Sequence, residues 1–245
     1  MIMILTIKNI KKTFGENTAV DIDSLTIQPG TLLGLVGNNG AGKTTLFRLM
    51  LDLLKADDTA GSIKMQFDNP DGSTFETDVK VDEEWKTYTG AYINESFLID
   101  FLSPEEYFSF IAKVNNLSDD ALKTKLTEFE AFMNGEVLGQ KKLIRSLSAG
   151  NKQKVGIIAA MLAQPQLLIL DEPFNFLDPS SQNHLKAMLT EYNRSTGATI
   201  IVSSHNLAHT VDISSRIVVM EHGRIVKDLQ ENNAQAHAEL EAYFN

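Results

Sequence analysis

The chain of 245 residues has no cysteine, so it can build neither a disulfide framework nor a thiolate metal site, in keeping with a cytosolic location. Long apolar runs are missing too. The longest, residues 157–163 and 167–170, fall far short of the roughly 20 residues that cross a bilayer. Basic residues are in deficit, 22 Lys and Arg against 32 Asp and Glu, which leaves a net charge of −10. Because phosphate backbones are gripped by clustered Lys and Arg, this balance argues against nucleic acid as the main partner. The opening Met1-Ile2-Met3-Ile4-Leu5 lacks a basic n-region and turns polar at Thr6, so it reads as a strand rather than a signal peptide. Repeats, low-complexity tracts and flexible linkers are also absent. What is present is 43% hydrophobic and 22% charged residues, enough for a sizeable core in one large domain or two small ones.

Short apolar-rich runs at 4–7 and 20–27, separated by Gly15-Glu16-Asn17, predict an antiparallel sheet. Pro29-Gly30 ends the second run, and Leu32-Leu33-Gly34-Leu35-Val36 predicts a buried strand. A helical pattern follows from Thr44, with Leu46, Phe47, Leu49, Met50 and Leu53 on its apolar side. Residues 62–89 read as a small, partly exposed β-region with a turn at Asp68-Asn69-Pro70-Asp71-Gly72. Ser103-Pro104-Glu105-Glu106 combines a capping box with Pro at the first helical position, followed by Tyr107, Phe108, Ile111 and Val114 at helical spacing. Ser118-Asp119-Asp120 caps a second helix carrying Leu122, Leu126, Phe129 and Met133. A helix over about 151–163, a strand at 167–170, a helix from Pro179 capped by Asp178, and a strand at 198–203 after Gly197 complete the pattern. Alternating strands and helices imply a parallel α/β sheet, with the helical stretch 98–150 inserted into it.

Gly37-Asn38-Asn39-Gly40-Ala41-Gly42-Lys43-Thr44-Thr45 fits the phosphate-loop pattern G-x-x-x-x-G-K-[ST], between a predicted strand and a predicted helix. Glycines let successive N–H groups face one anion, and the helix that follows points its positive end at the same place. Lys43 supplies a mobile cation for β- and γ-phosphates, and Thr44 a hard oxygen suited to Mg²⁺. Further along, Leu167-Leu168-Ile169-Leu170-Asp171-Glu172-Pro173 is an apolar strand ending in two acids. Asp171 is placed to hold Mg²⁺ through water, and Glu172 to orient and deprotonate an attacking water.

Together with Leu147-Ser148-Ala149-Gly150-Asn151, Leu177-Asp178 and Ser203-Ser204-His205, these motifs stand in the order and spacing of an ATP-binding cassette domain. The resemblance covers about residues 4–229. It implies a phosphate-loop NTPase (RecA-like) fold: a mixed core sheet, an N-terminal antiparallel β subdomain and an inserted helical subdomain. The expected division is one domain, with 1–97 and 151–230 as catalytic core and β subdomain, 98–150 as helical subdomain and 231–245 as a C-terminal helix. The family pairs two such domains head to tail around two ATP molecules. By that resemblance Ser148, Ala149, Gly150 and Asn151 would meet the partner's nucleotide at a helix N-terminus, and His205 would contact the γ-phosphate. Asp178 would lie in the dimer-contact loop. Phe14 would stack on adenine, core packing being its other reading. His184, His209, His222 and His237 have no such context and read as surface residues.

Two departures from the family pattern stand in the signature, Ala149 for Gly and Asn151 for Gln. If position 149 needs positive φ or close phosphate approach, the methyl slows hydrolysis. Lys154 stands where Arg often follows. A third departure is Glu95, where the family usually has the glutamine that touches Mg²⁺, its other reading being a solvated loop acid. Glutamate keeps an oxygen ligand for the metal, and with Phe97-Leu98 and the helix start at Ser103 it resembles single-cassette subunits of prokaryotic exporters. The leading expectation is therefore an ATPase with ATP and Mg²⁺ as cofactors, a homodimer or a pair with a related cassette. It would act from the cytoplasmic face of the membrane on an integral membrane transporter subunit. A soluble cassette ATPase for cofactor assembly, or a nucleotide switch that barely hydrolyses, is the alternative.

Overall fold

A computed structural model describes residues 3–57, 61–69, 71–231 and 240. In chain order the strands are β1 (Met3–Phe14), β2 (Asn17–Ile27), β3 (Leu32–Val36), β4 (Ser62–Asp68), β5 (Thr74–Asp78), β6 (Thr89–Tyr92), β7 (Leu167–Leu170), β8 (Thr199–Ser204), β9 (Arg216–Glu221) and β10 (Arg224–Leu229). The helices are α1 (Lys43–Met50), α2 (Pro104–Val114), α3 (Asp119–Glu128), α4 (Glu130–Met133), α5 (Ala149–Met161), α6 (Pro179–Thr196) and α7 (Leu207–Val211).

Two sheets organise these elements. An antiparallel sheet runs β2-β1-β4-β5, and a six-stranded sheet runs β10-β9-β3-β8-β7-β6. In the second, β3 pairs in parallel with β8 and β9, and β7 lies between β6 and β8, also in parallel. Only the β9–β10 hairpin is antiparallel there. The sheet is therefore mixed, as the resemblance implied.

The unbroken apolar run in β7 follows from burial on both faces, the usual state of a parallel sheet. Leu168 and Leu170 turn toward α5 and α6, where they join Val155, Ile158, Leu185 and Leu189. Leu167 and Ile169 turn the other way and pack with Leu46, Phe47, Ile7 and Met65 of α1 and the antiparallel sheet. Each such buried Leu or Ile contributes about 1.5–3 kcal/mol of transfer free energy. This two-sided core holds the end of β7 rigid, and the two acids sit at that end.

The helix starts carry the predicted caps. Ser103 Oγ accepts from Glu106 N at 3.2 Å while Ser103 N donates to Glu106 Oε2 at 2.8 Å. Ser118 Oγ accepts from Ala121 N, and Asp178 Oδ1 from Ser180 N and Ser181 N. Gly197 ends α6 in the left-handed region, with φ 69°.

Several expectations need correction. Helix α1 stops at Met50, and Asp52 takes φ 51°, which throws Leu53 out to 51% exposure instead of onto the apolar face. Val114, the last residue of α2, is exposed as well. The helix after Ser118 breaks at Phe129 into α3 and α4, although Phe129 and Met133 are both buried. Thr89 does not end a separate β-region but opens β6, an edge strand of the core sheet. Pro70 and His237 lie outside the described residues, as does the predicted C-terminal helix except for Glu231, an exposed bend, and Leu240, which is buried.

Candidate functional site

The phosphate loop joins β3 to α1 at the carboxyl end of the parallel strands. Glycine is demanded at its two hinges. A Cβ on Gly37 would lie 2.2 Å from Met220 O, and one on Gly42, at φ 103°, 2.2 Å from Ala19 O. Gly37 and Ala41 are buried, while Asn38, Asn39 and Gly40 form the exposed crest. Lys43 threads back under the loop, only 6% exposed. Its Nζ donates to Gly37 O at 2.6 Å and lies 3.3 Å from Glu172 Oε1. Thr44 and Thr45, in the first turn of α1, are partly buried.

Thr44 Oγ1 donates to Asp171 Oδ2 at 2.5 Å, which ties α1 to the end of β7. Ser203 Oγ donates to Asp171 Oδ1 at 2.5 Å, so both oxygens of this buried carboxylate are engaged. Burial pushes the Asp171 carboxyl above the ordinary aspartate range, with the Ser203 and Thr44 hydroxyls pulling the other way. Glu172 follows with φ 47°, a left-handed backbone that costs an L-residue about 1–2 kcal/mol. Its Oε2 lies 2.8 Å from His205 Nδ1 and accepts from His205 N at 3.3 Å. One carboxylate thus spans a lysine and a histidine brought from two other strand ends.

Thr44 and Asp171 are hard oxygen donors at one corner of a cleft also lined by Glu95, Ala149, Gln153 and Glu172. That chemistry fits Mg²⁺, and the glycine-hinged loop with Lys43 beneath it fits a polyphosphate. Glu95 lines the same cleft, but its carboxylate is turned to Lys152, with Nζ 2.9 Å from Oε2.

The signature residues stand together at the start of α5. Ser148 caps the helix, its Oγ accepting from Asn151 N at 3.2 Å, and Asn151 Nδ2 donates to Glu136 O at 3.3 Å. Ala149 is the first helical residue and is not among the positive-φ positions, so its methyl meets no backbone penalty. Glycine is required one step later. A Cβ at Gly150 would lie 2.7 Å from Phe176 O. Phe14 ends β1 at 52% exposure, with Lys12 Nζ 5.5 Å over its ring, so core packing does not account for it. Asp178 is engaged as the cap of α6.

Gln153 carries no sequence signal, and Ser203, although it opens the Ser203-Ser204-His205 motif, gives no sign there of its bonds to Asp171 and Glu172, because these contacts depend on strand register and helix docking. His184 and His222 are exposed as expected. His209 is not a plain surface residue. It stacks on Phe174 with centroids 5.2 Å apart, and partial burial pulls its ring below the ordinary histidine range.

Among the described residues no helix is long and apolar enough to cross a membrane. The family model described as ABC transporter matches residues 20–175. The bacitracin transport ATP-binding protein BcrA of Enterococcus faecalis is 32% identical over 98% of this chain and 73% of its own length. The tungstate uptake system ATP-binding protein TupC of Peptoclostridium acidaminophilum is 29% identical over 91% of this chain and 97% of its own. Among solved structures, the dimeric post-hydrolysis ATP-binding cassette MJ0796 bound to ADP and Pi superposes with a TM-score of 0.78. It shares 20% identity over 94% of this chain and 99% of that one, a likeness of fold.

Proposed function

The chain belongs to the ABC transporter family as an ATP-binding, ATP-hydrolysing subunit, and on that premise we propose that two copies close head to tail around MgATP to drive a separate integral membrane subunit. The observation that carries the reading is the meeting of Lys43, Thr44, Asp171, Glu172 and His205 at one corner of the core sheet.

Lys43 and the amides of 37–45 hold the β- and γ-phosphates. Thr44 and Asp171 hold Mg²⁺, which when bound neutralises phosphate charge. Glu172 orients the attacking water and takes its proton, and His205, hydrogen-bonded to that carboxylate, faces the γ-phosphate. Ser148, Gly150 and the N-terminus of α5 serve the nucleotide held by the other copy. The helical backbone at Ala149 supports a hydrolysing subunit over a slow nucleotide switch.

We place the subunit on the cytoplasmic face of the membrane, held there by its partner. Export is the proposed direction, on Glu95 and the Phe97-Leu98 segment before the Ser103 helix start. TupC is named for uptake, so direction is the point to test. The experiment is recovery of the tagged chain from detergent-solubilised membranes, followed by vesicle reconstitution with what it brings down. An integral membrane protein and ATP-driven efflux are expected. Recovery of the chain alone would remove the membrane role, and ATP-driven uptake would reverse the direction.

A further inference from the structure

The backbone of Glu172 is gripped from two sides by residues that the roles above leave unused. With φ 47° it stands in the left-handed region, which a residue bearing a Cβ keeps only where its surroundings impose it. Its N–H donates to Ser203 Oγ at 2.8 Å. Its carbonyl accepts from Gln153 Nε2 at 3.2 Å, beside the turn bond from Asn175 N at 3.1 Å. Both side chains are buried. Ser203 comes from β8, one step beyond the Leu170–Val202 pair that aligns β7 with β8. Gln153 comes from α5, the helix that begins at the signature.

The Ser203 hydroxyl has one proton, and it goes to Asp171 Oδ1. Its lone pair is thereby turned to the Glu172 N–H. One hydroxyl fixes both acids relative to each other, and Gln153 fixes the second acid relative to the signature helix.

We propose that Ser203 and Gln153 are positioning residues for ATP hydrolysis: together they clamp the Glu172 backbone so that its carboxylate stands between Lys43 and His205. The Glu172 oxygens lie 3.3 Å from Lys43 Nζ and 2.8 Å from His205 Nδ1. A relaxed backbone at 172 would swing the carboxylate out of that gap. The proposal rests on Glu172 being the base, as argued above.

The test uses the full chain with Ser203→Ala, Gln153→Met, Glu172→Gln and the Ser203→Ala/Glu172→Gln double variant. Steady-state phosphate release and calorimetric MgATP binding are measured for each. Ser203→Ala and Gln153→Met are each expected to lower kcat about tenfold or more while KM and the MgATP Kd stay within about threefold. Ser203→Thr, which keeps the hydroxyl, is expected to recover most of the loss. In the Glu172→Gln background Ser203→Ala should cost no further kcat, because the share of the clamp that sets the rate acts through Glu172. Its bond to Asp171, which Thr44 also holds, would show in the MgATP Kd, within that threefold. Wild-type kcat in both single variants, with Glu172→Gln slow, would overturn the clamp and leave the base standing. A wild-type rate in Glu172→Gln would remove the base and the clamp with it. An equal loss from Ser203→Ala in both backgrounds would make the hydroxyl merely structural. Should Ser203→Ala fail to fold, Gln153→Met carries the test with the same outcomes.

Discussion

Lys152 Nζ lies 2.9 Å from Glu95 Oε2, so the carboxylate at the position where the family resemblance puts a metal ligand is tied to the signature helix. The pair links the loop after β6 to α5 beside the cleft that Glu95 lines. Glu95→Ala, which removes the oxygen ligand altogether, is expected to shift Tm by less than about 3 °C, since a pair this exposed contributes little. The MgATP Kd should change by less than about threefold, because the wild-type carboxylate stays on Lys152. A tenfold weakening in calorimetry would instead put Glu95 on the metal.

Gly150→Ala and Ala149→Gly should part company. A Cβ at 150 meets the Phe176 carbonyl at 2.7 Å, so the Gly150 variant must displace that loop and is expected to slow phosphate release. Ala149→Gly relieves no strain and costs about 0.5–1 kcal/mol of helix stability, visible as a lower Tm without a faster rate. A marked rate increase in Ala149→Gly would contradict the helical assignment at that residue.

Much of this site is legible in the sequence because its chemistry is local. The phosphate loop and the acids after β7 are contiguous, and β3 and β7 announce themselves by unbroken apolar residues, as strands covered on both faces do. Strand β6 is not legible in Thr89-Gly90-Ala91-Tyr92, where Gly90 is present because a Cβ would meet Ala160 O at 2.0 Å. Spacing put Leu53 on a helix face but could not say that the helix ends before it. The ties from Ser203 and Gln153 to the acids are set by register and docking, which no run of neighbouring residues encodes.

Asp178 gives a pH signature. Its carboxylate accepts from the Ser181 hydroxyl and from the Ser181 and Ser180 amides, and these bonds hold it below the ordinary value of 3.8. A lowered acid stabilises the fold in full above its unfolded pKa, and that share is lost as pH falls through the folded one. Asp178→Asn keeps a cap that does not titrate. The variant should therefore melt below wild type at pH 6, and the gap should narrow as pH is taken below 3.8, as followed by circular dichroism. A gap that stays constant across that range would rule the cap out as its source.

Phe14 contributes little to the core at 52% exposure, so Phe14→Ala should leave Tm nearly unchanged. If the ring stacks on adenine, the variant binds MgATP about three- to tenfold more weakly, the worth of one aromatic stack. Unchanged affinity would return Phe14 to the surface.

The most direct test of the central claim is phosphate release by the purified chain, wild type against Glu172→Gln, at saturating MgATP. The account predicts turnover in the wild type and a loss of about 10²–10⁴-fold in the variant, as expected for removal of a general base. Equal rates in the two proteins would contradict it.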